Sequence, residues 1–243
     1  MEMLTALITC SVNKSWFSLM YVVGLCTSVV IMYLQCYSIG VVCLVQVLFF
    51  MHLCRRLWEC LYITDFGNSK MHISGLLVGI VHYVFTPISI YLAASTPSVS
   101  KPAFKSSDGT SLLLVCLLFV FEFACYAQNR CHMILFCIKR SLKSTPGARY
   151  AVPKGFWFDL VACPHYLSEI LIYLSLLLLL LVLYAPVTDF IPWLQRFNFG
   201  YCMLWVTTNL AVVAHHQLHW YHSEPSLSSQ VPPNWCALIP GIW

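Results

Sequence analysis

Four stretches of this chain are apolar enough, over a sufficient length, to limit the folds that it can adopt. Residues 15–54, 71–100 and 197–223 contain no Asp, Glu, Lys or Arg, and residues 176–183 are eight consecutive Leu or Val residues. A helix needs about 20 apolar residues to cross a hydrocarbon core about 30 Å thick. Only 9% of the residues are charged and 60% are hydrophobic, so we expect the chain to reside in a membrane.

The apolar stretches predict an all-α, polytopic membrane helix bundle of about six transmembrane helices. Backbone N–H and C=O groups in lipid must bond to each other, which makes each crossing segment helical. We treat 1–243 as a single transmembrane domain. The predicted helices cover residues 16–36, 38–54, 74–95, 111–129, 167–186 and 198–220.

The basic residues predict how the bundle is oriented. With six crossings, one side of the membrane holds ten of the 13 Lys and Arg residues, and such a bias places that side in the cytosol. Residues 130–164 are expected to form a cytosolic loop. This segment combines basic residues with Pro, Gly and aromatics, so a soluble anionic ligand could dock there, although headgroup contact alone would also account for its charge.

Histidines near the end of the chain offer a possible metal site. His215, His216, His219 and His222 have helical spacing that places several imidazoles on one face. The remaining histidines are isolated in the sequence, so we predict no metal. We also expect no nucleic-acid partner, and the oligomeric state stays open.

Several ordered motifs resemble the steroid 5-alpha-reductase family, and within it the polyprenol reductase branch. Residues 150–169, YAVPKGFWFDLVACPHYLSE, are similar to the family's P-x-G-x-x-F segment and the helix start that follows it. Residues 55–62, RRLWECLY, resemble the branch's R-R-L-x-E-x-L-Y, and residues 128–135, QNRCHMIL, resemble its H-Q-x-K-C-H-x-I-L. Residues 14–21 match the segment before the family's second helix, which implies that the family's first helix is missing here.

The resemblance implies a membrane reductase that uses NADPH. Arg and Lys suit phosphate groups, while amide and imidazole groups suit ribose or the nicotinamide amide. Glu169 could instead bond free N–H groups at a helix start, and Arg56 and Lys139 could contact lipid headgroups. The cofactor-binding residues implied by matching positions are Arg56, Gln128, Arg130, His132, Lys139, Tyr150, His165 and Glu169.

Two residues match the family's substrate-polarising groups. Tyr221 matches a tyrosine that bonds the substrate carbonyl, where a phenol can donate to developing negative charge. Glu59 matches a glutamate near that carbonyl, although it could equally be a solvated loop carboxylate beside Arg55 and Arg56. The resemblance implies reduction of the alpha-isoprene double bond of a polyisoprenoid lipid in the endoplasmic reticulum membrane, toward dolichol for protein N-glycosylation.

The sequence departs from the family pattern at three places, one of them Leu218, where the family usually has His three residues before its tyrosine. Leu19 stands where the branch usually has His, and residues 231–241, VPPNWCALIPG, keep the frame of the family's Y-P-K-x-R-K-A-x-x-P-F ending without its basic residues. Because of these changes, the interpretation of the chain as a divergent, non-catalytic homologue stays open. The sequence is also compatible with 3-oxo-5-alpha-steroid 4-dehydrogenase activity, with a membrane scaffold or transporter, and with a membrane methyltransferase that uses an S-adenosyl cofactor.

Overall fold

Long helices make up most of the chain in this computed structural model. The structure describes residues 10–39, 43–94, 108–145, 150–183 and 190–241. A short ribbon of β1 (Ser11–Asn13) and β2 (Lys70–His72) accompanies them. Within the described residues the helices are α1 (Phe17–Ile39), α2 (Leu44–Tyr62), α3 (Ile73–Ala94), α4 (Asp108–Lys143), α5 (Pro164–Leu183) and α6 (Phe190–Ser223).

The predicted all-α membrane class is confirmed, while the count of about six crossings is not. Each predicted segment contains a helix, but only four helices in the described part of the chain are long and apolar enough to span a membrane: those in 14–37, 73–94, 109–143 and 164–183. The two others, α2 and α6, carry more polar residues. Arg55, Arg56 and Glu59 lie in the last turns of α2, and four histidines lie near the end of α6, which lowers the hydropathy of both helices.

Helix α4 is longer than expected, so the predicted loop at 130–164 needs correction. Residues 130–143 continue the helix to Lys143, and irregular chain is described only from Ser144 onward. Apolar residues recur at helical spacing through Cys131, Ile134 and Ile138, and residues 130–145 contain no Pro or Gly. The basic end of α4 therefore occupies residues 130–143 of the predicted loop.

The described residues fall into two compact units, and the single transmembrane domain stays a prediction. One unit is drawn from residues 1–105 and 180–202, and the other from residues 106–179 and 203–243. In the first unit, α1 packs against α2 and α3, and a Cβ atom at Gly24 would lie 3.0 Å from Leu53 and 3.2 Å from Tyr83. Small residues allow such close packing between membrane helices.

The second unit has a hydrophobic core to which the end of the chain contributes. Core residues from α4, the 150–163 segment and α6 pack with Leu227, Val231, Trp235 and Leu238. Residues 161–163 and 236–237 pair as neighbouring extended segments: Ala162 donates to the Cys236 carbonyl at 2.9 Å and Cys163 donates to the Ala237 carbonyl at 3.1 Å. The C-terminal segment therefore forms part of the folded core of this unit.

Candidate functional site

A polar group between α4 and α5 brings together four of the predicted cofactor-binding residues. The Gln128 amide donates to the Glu169 carboxylate and, at 3.3 Å, to the backbone carbonyl of His165. The His132 and His165 rings lie 5.7 Å apart, centroid to centroid. Gln128 is buried, with 2% of its surface exposed, so these bonds form in a partly desolvated setting.

Local sequence spacing explains half of this arrangement. Gln128 and His132 are four residues apart on α4, and His165 and Glu169 are four residues apart on α5, so each pair shares one helix face. Pro164 begins α5, where its missing N–H costs no intrahelical bond. Glu169 lies beyond the first turn of α5, and its carboxylate accepts from Gln128 across to α4.

Arg130 lies in a different setting from Gln128. Two residues along a helix rotate a side chain by about 200°, and Arg130 lines a groove of 420 Å³ together with Met133, Ile134, Cys137, Ile138, Val152 and Lys154. The two cations lie beside a largely apolar lining. This groove favours an anionic ligand but holds only Arg130 among the predicted residues.

The turn that follows this groove explains the glycine of the P-x-G motif. Gly155 has φ 89°, and its N–H donates to the Asp159 carboxylate at 2.7 Å. Phe156 also has a positive φ of 56°, which is uncommon for a bulky residue. Its ring stacks on Trp157 at 5.5 Å, and Trp157 packs edge-on against Phe123 of α4 at 5.8 Å. Aromatic packing on α4 therefore supports the strained turn.

Tyr221 lies in the hydrophobic core of the second unit, near the end of α6. Its ring packs against Trp235 at 5.3 Å and against Trp220 at 5.1 Å. Burial raises the pKa of the Tyr221 phenol; Cys163 raises it further, and a hydrogen bond with Gln217 opposes the rise. The phenol therefore stays protonated through neutral pH, as a hydrogen-bond donor must.

Tyr150 and Lys139 occupy settings of their own in the second unit. Tyr150 is 40% exposed and packs edge-on against Trp220 at 5.0 Å, which links it to the helix end that carries Tyr221. Lys139 is half-buried in the last turns of α4. Their predicted cofactor roles stay predictions.

Arg56 and Glu59 lie together in the first unit, in a charged network on α2. Glu59 is fully buried and accepts from both Arg55 and Arg56. Arg56 also donates to the Tyr21 hydroxyl at 3.0 Å and lies over the Tyr21 ring. Glu59 is thus a buried helical carboxylate, which corrects its interpretation as a solvated loop residue. Two guanidinium groups stabilise its ionised form, so its role as a proton donor stays a prediction that this pairing does not favour.

Sequence reasoning missed two contributors to these sites. Tyr21 of α1 accepts a hydrogen bond from Arg56 of α2, and the indole N–H of Trp235 donates to the backbone carbonyl of Phe158 at 2.7 Å. Tyr21 gave no separate signal. Trp235 gave one, because an aromatic residue stands in the frame of a family segment that is normally basic.

Comparisons with known proteins agree with these motifs. Residues 74–243 match the family described as 3-oxo-5-alpha-steroid 4-dehydrogenase. A polyprenal reductase of Caenorhabditis elegans is 28% identical over 96% of this chain and 80% of that protein. Polyprenal reductases of Mesocricetus auratus and Homo sapiens are 32% and 30% identical over 55% of this chain, and the matches cover 41% and 43% of those proteins.

The vertebrate matches therefore span less than half the length of those relatives, whereas the family match includes both the Gln128 group and Tyr221. The chain belongs to the 3-oxo-5-alpha-steroid 4-dehydrogenase, or steroid 5-alpha-reductase, family.

Proposed function

We propose that this protein is an NADPH-dependent reductase of the alpha-isoprene double bond of polyprenol or polyprenal. The product would serve dolichol formation and dolichol-linked protein N-glycosylation at the endoplasmic reticulum membrane. Membership of the family supports an oxidoreductase acting on a C=C bond. The similarity to a worm polyprenal reductase over 96% of this chain supports the isoprenoid substrate.

The observation that carries the proposal is the polar group of Gln128, His132, His165 and Glu169. Its amide, imidazole and carboxylate groups supply both donors and acceptors between two largely apolar helices. A nicotinamide cofactor carries an amide, ribose hydroxyls and phosphates, so this donor set fits it. Bound NADPH would supply a hydride, which is the cofactor's own chemistry.

The positively charged residues would hold the phosphates. Arg130 could bond two phosphate oxygens at once, and Lys139 could act as a point charge. Tyr150 would bind the cofactor from the 150–163 segment. Arg56 belongs to the first unit, where it pairs with Glu59 and Tyr21, and its cofactor role stays a prediction.

Tyr221 would polarise the substrate oxygen. An allylic alcohol has no carbonyl that can accept negative charge, so the aldehyde polyprenal is the better reacting species. A protonated phenol can donate to the carbonyl oxygen as charge develops there, without itself carrying charge. Burial keeps Tyr221 in that protonated form.

The decisive experiment measures polyprenal reduction by the purified protein in detergent. NADPH oxidation and product mass are followed together, and S-adenosylmethionine serves as a competing cofactor. Tyr221→Phe is compared with Tyr201→Phe, which alters a 62% exposed tyrosine on the same helix. Turnover that falls in Tyr221→Phe but not in Tyr201→Phe supports the proposal. Absence of both NADPH binding and turnover would assign the chain to a non-catalytic homologue.

A steroid substrate is the second candidate, because the matched family is described by steroid chemistry. A steroid enone offers the same α,β-unsaturated carbonyl without the long apolar tail. The two substrates are therefore compared in one assay, by kcat/KM for polyprenal and for a 3-oxo-4-ene steroid. A ratio that favours the steroid would overturn the isoprenoid assignment while keeping the reductase.

A further inference from the structure

We propose that Trp235 is a positioning residue, which holds Tyr221 in place and ties it to the segment that leads into His165. This inference rests on the proposed function, because Tyr221 is the polarising group of that reaction. The Trp235 side chain is buried, with 5% of its surface exposed. It contacts Tyr221 with its ring and the 150–163 segment with its N–H.

The first contact is with the backbone. The indole N–H of Trp235 donates to the carbonyl of Phe158 at 2.7 Å, in a buried setting, across 77 residues of sequence. A buried carbonyl that loses its donor carries the cost of its desolvation. Since the Phe158 ring lies 6.2 Å from the His165 ring, this bond also fixes a neighbour of the proposed cofactor group.

The second contact is with the proposed catalytic side chain. The Trp235 and Tyr221 rings lie 5.3 Å apart at 53°, a tilted arrangement in which aromatic pairs attract. The Trp220 ring also contacts Tyr221, at 5.1 Å between ring centroids. Two large rings therefore restrict the direction in which the phenol can point, and Trp235 belongs to the C-terminal segment, not to the helix that carries Tyr221.

Backbone pairing places Trp235 between these two contacts. Val161 and Cys236 form a parallel β-bridge. The amides of Ala162 and Cys163 donate to the carbonyls of Cys236 and Ala237. These backbone hydrogen bonds hold the C-terminal segment against residues 161–163, just before α5. Basic residues stand in this part of the family's pattern, whereas this chain has Asn-Trp-Cys at 234–236, and its indole N–H bonds the Phe158 carbonyl.

The test is a double-mutant cycle with Tyr221. Trp235→Phe removes the N–H but keeps a ring, and we expect kcat for polyprenal to fall about tenfold with KM unchanged within about twofold, because positioning is felt in the transition state. In the Tyr221→Phe background the same change should alter kcat less than about twofold, since both act through one group. Additive effects, or an unchanged kcat, would overturn the proposal.

Matched variants separate positioning from general damage. Trp205→Phe changes a 48% exposed tryptophan on α6 and should leave kcat unchanged. Trp235→Tyr keeps a donor on the ring and is expected to retain kcat within about threefold, as a partial replacement of the hydrogen bond. All rates are expressed per molecule that binds NADPH, so a fall in the folded fraction does not count.

Hydrogen exchange tests the proposal even if the wild-type protein reduces nothing. In that case the reductase assignment fails, whereas the contacts of Trp235 can still be tested. Trp235→Phe should speed amide exchange of Ala162 and Cys163 and of the peptide that contains Tyr221, and Trp205→Phe should not. Unchanged amide exchange in Trp235→Phe would show that Trp235 does not hold these segments together.

Discussion

The side-chain amide of Gln128 donates to the carboxylate of Glu169, and this bond joins α4 to α5 at the proposed cofactor site. The partners are 41 residues apart in sequence. The same amide bonds the His165 carbonyl at 3.3 Å. Gln128 therefore fixes both the carboxylate and the start of α5, and a change at either partner should be felt in cofactor binding.

Removing the carboxylate should weaken NADPH binding. Glu169→Ala leaves the buried Gln128 amide without its charged acceptor, and hydrogen bonds to charged groups contribute about 1.5–3 kcal/mol. We expect the Kd for NADPH to rise about tenfold to a hundredfold, measured by fluorescence titration. Glu122→Gln, which changes an exposed carboxylate on α4, is the control. An unchanged Kd in Glu169→Ala would place the cofactor elsewhere.

Removing the Tyr221 hydroxyl should slow the chemical step and leave binding intact. A positioned proton donor typically contributes about 10²–10⁴-fold to the rate, so Tyr221→Phe should lower kcat by that range with little change in KM. Since burial raises the Tyr221 pKa, the wild-type rate should not decline at the pH where an ordinary tyrosine ionises. A decline near pH 10, absent in Tyr221→Phe and in no-enzyme controls, would mean that the phenol is not held protonated.

The sequence predicted the elements of this fold better than their contacts. Apolar runs located all six described helices, and the four-residue spacing of Gln128 and His132 and of His165 and Glu169 accounts for the helix face that each pair shares. Such periodicity is a local property. The bond from Gln128 to Glu169 and that from Trp235 to Phe158 depend on how distant segments pack, which no local pattern encodes.

Two misjudged features have physical causes. Basic residues after Asn129 suggested a loop, but a charged helix end beyond the apolar span satisfies the same topology rule. The motif at 55–62 suggested a loop carboxylate at Glu59 as one interpretation, whereas α2 extends to Tyr62 and buries it. In both cases the helix continued past the point where hydropathy fell.

Changes at Glu59 should distinguish a structural ion pair from a catalytic group. Removing one partner of a buried ion pair lowers the free energy of unfolding by about 3–5 kcal/mol. We expect a loss of about 2–3 kcal/mol for Glu59→Ala, because the Arg55 and Arg56 side chains are partly exposed to solvent. Glu59→Ala should therefore lower Tm by several degrees in detergent, while Glu59→Gln, which can still accept a hydrogen bond, should lower it less. If kcat per folded molecule collapses in Glu59→Gln with Tm preserved, the carboxyl acts in catalysis instead.

The turn at Gly155 provides a prediction that separates backbone conformation from space. A Cβ there would meet no atom within 4 Å, yet Gly155 has φ 89°, which L side chains rarely adopt. Gly155→Ala should thus lower the free energy of unfolding by about 1–3 kcal/mol through backbone strain alone, and it should weaken the hydrogen bond from the residue 155 N–H to Asp159.

Unfolding in detergent measures this loss of stability, and Gly75→Ala is the control. Gly75 has equal space but lies inside α3, where Ala is favoured by up to about 1 kcal/mol. We expect Gly155→Ala to be destabilised and Gly75→Ala to be unchanged or slightly more stable. Equal stability of the two variants would show that the turn relaxes to a conformation open to any residue, and the glycine of the P-x-G segment would then need another explanation.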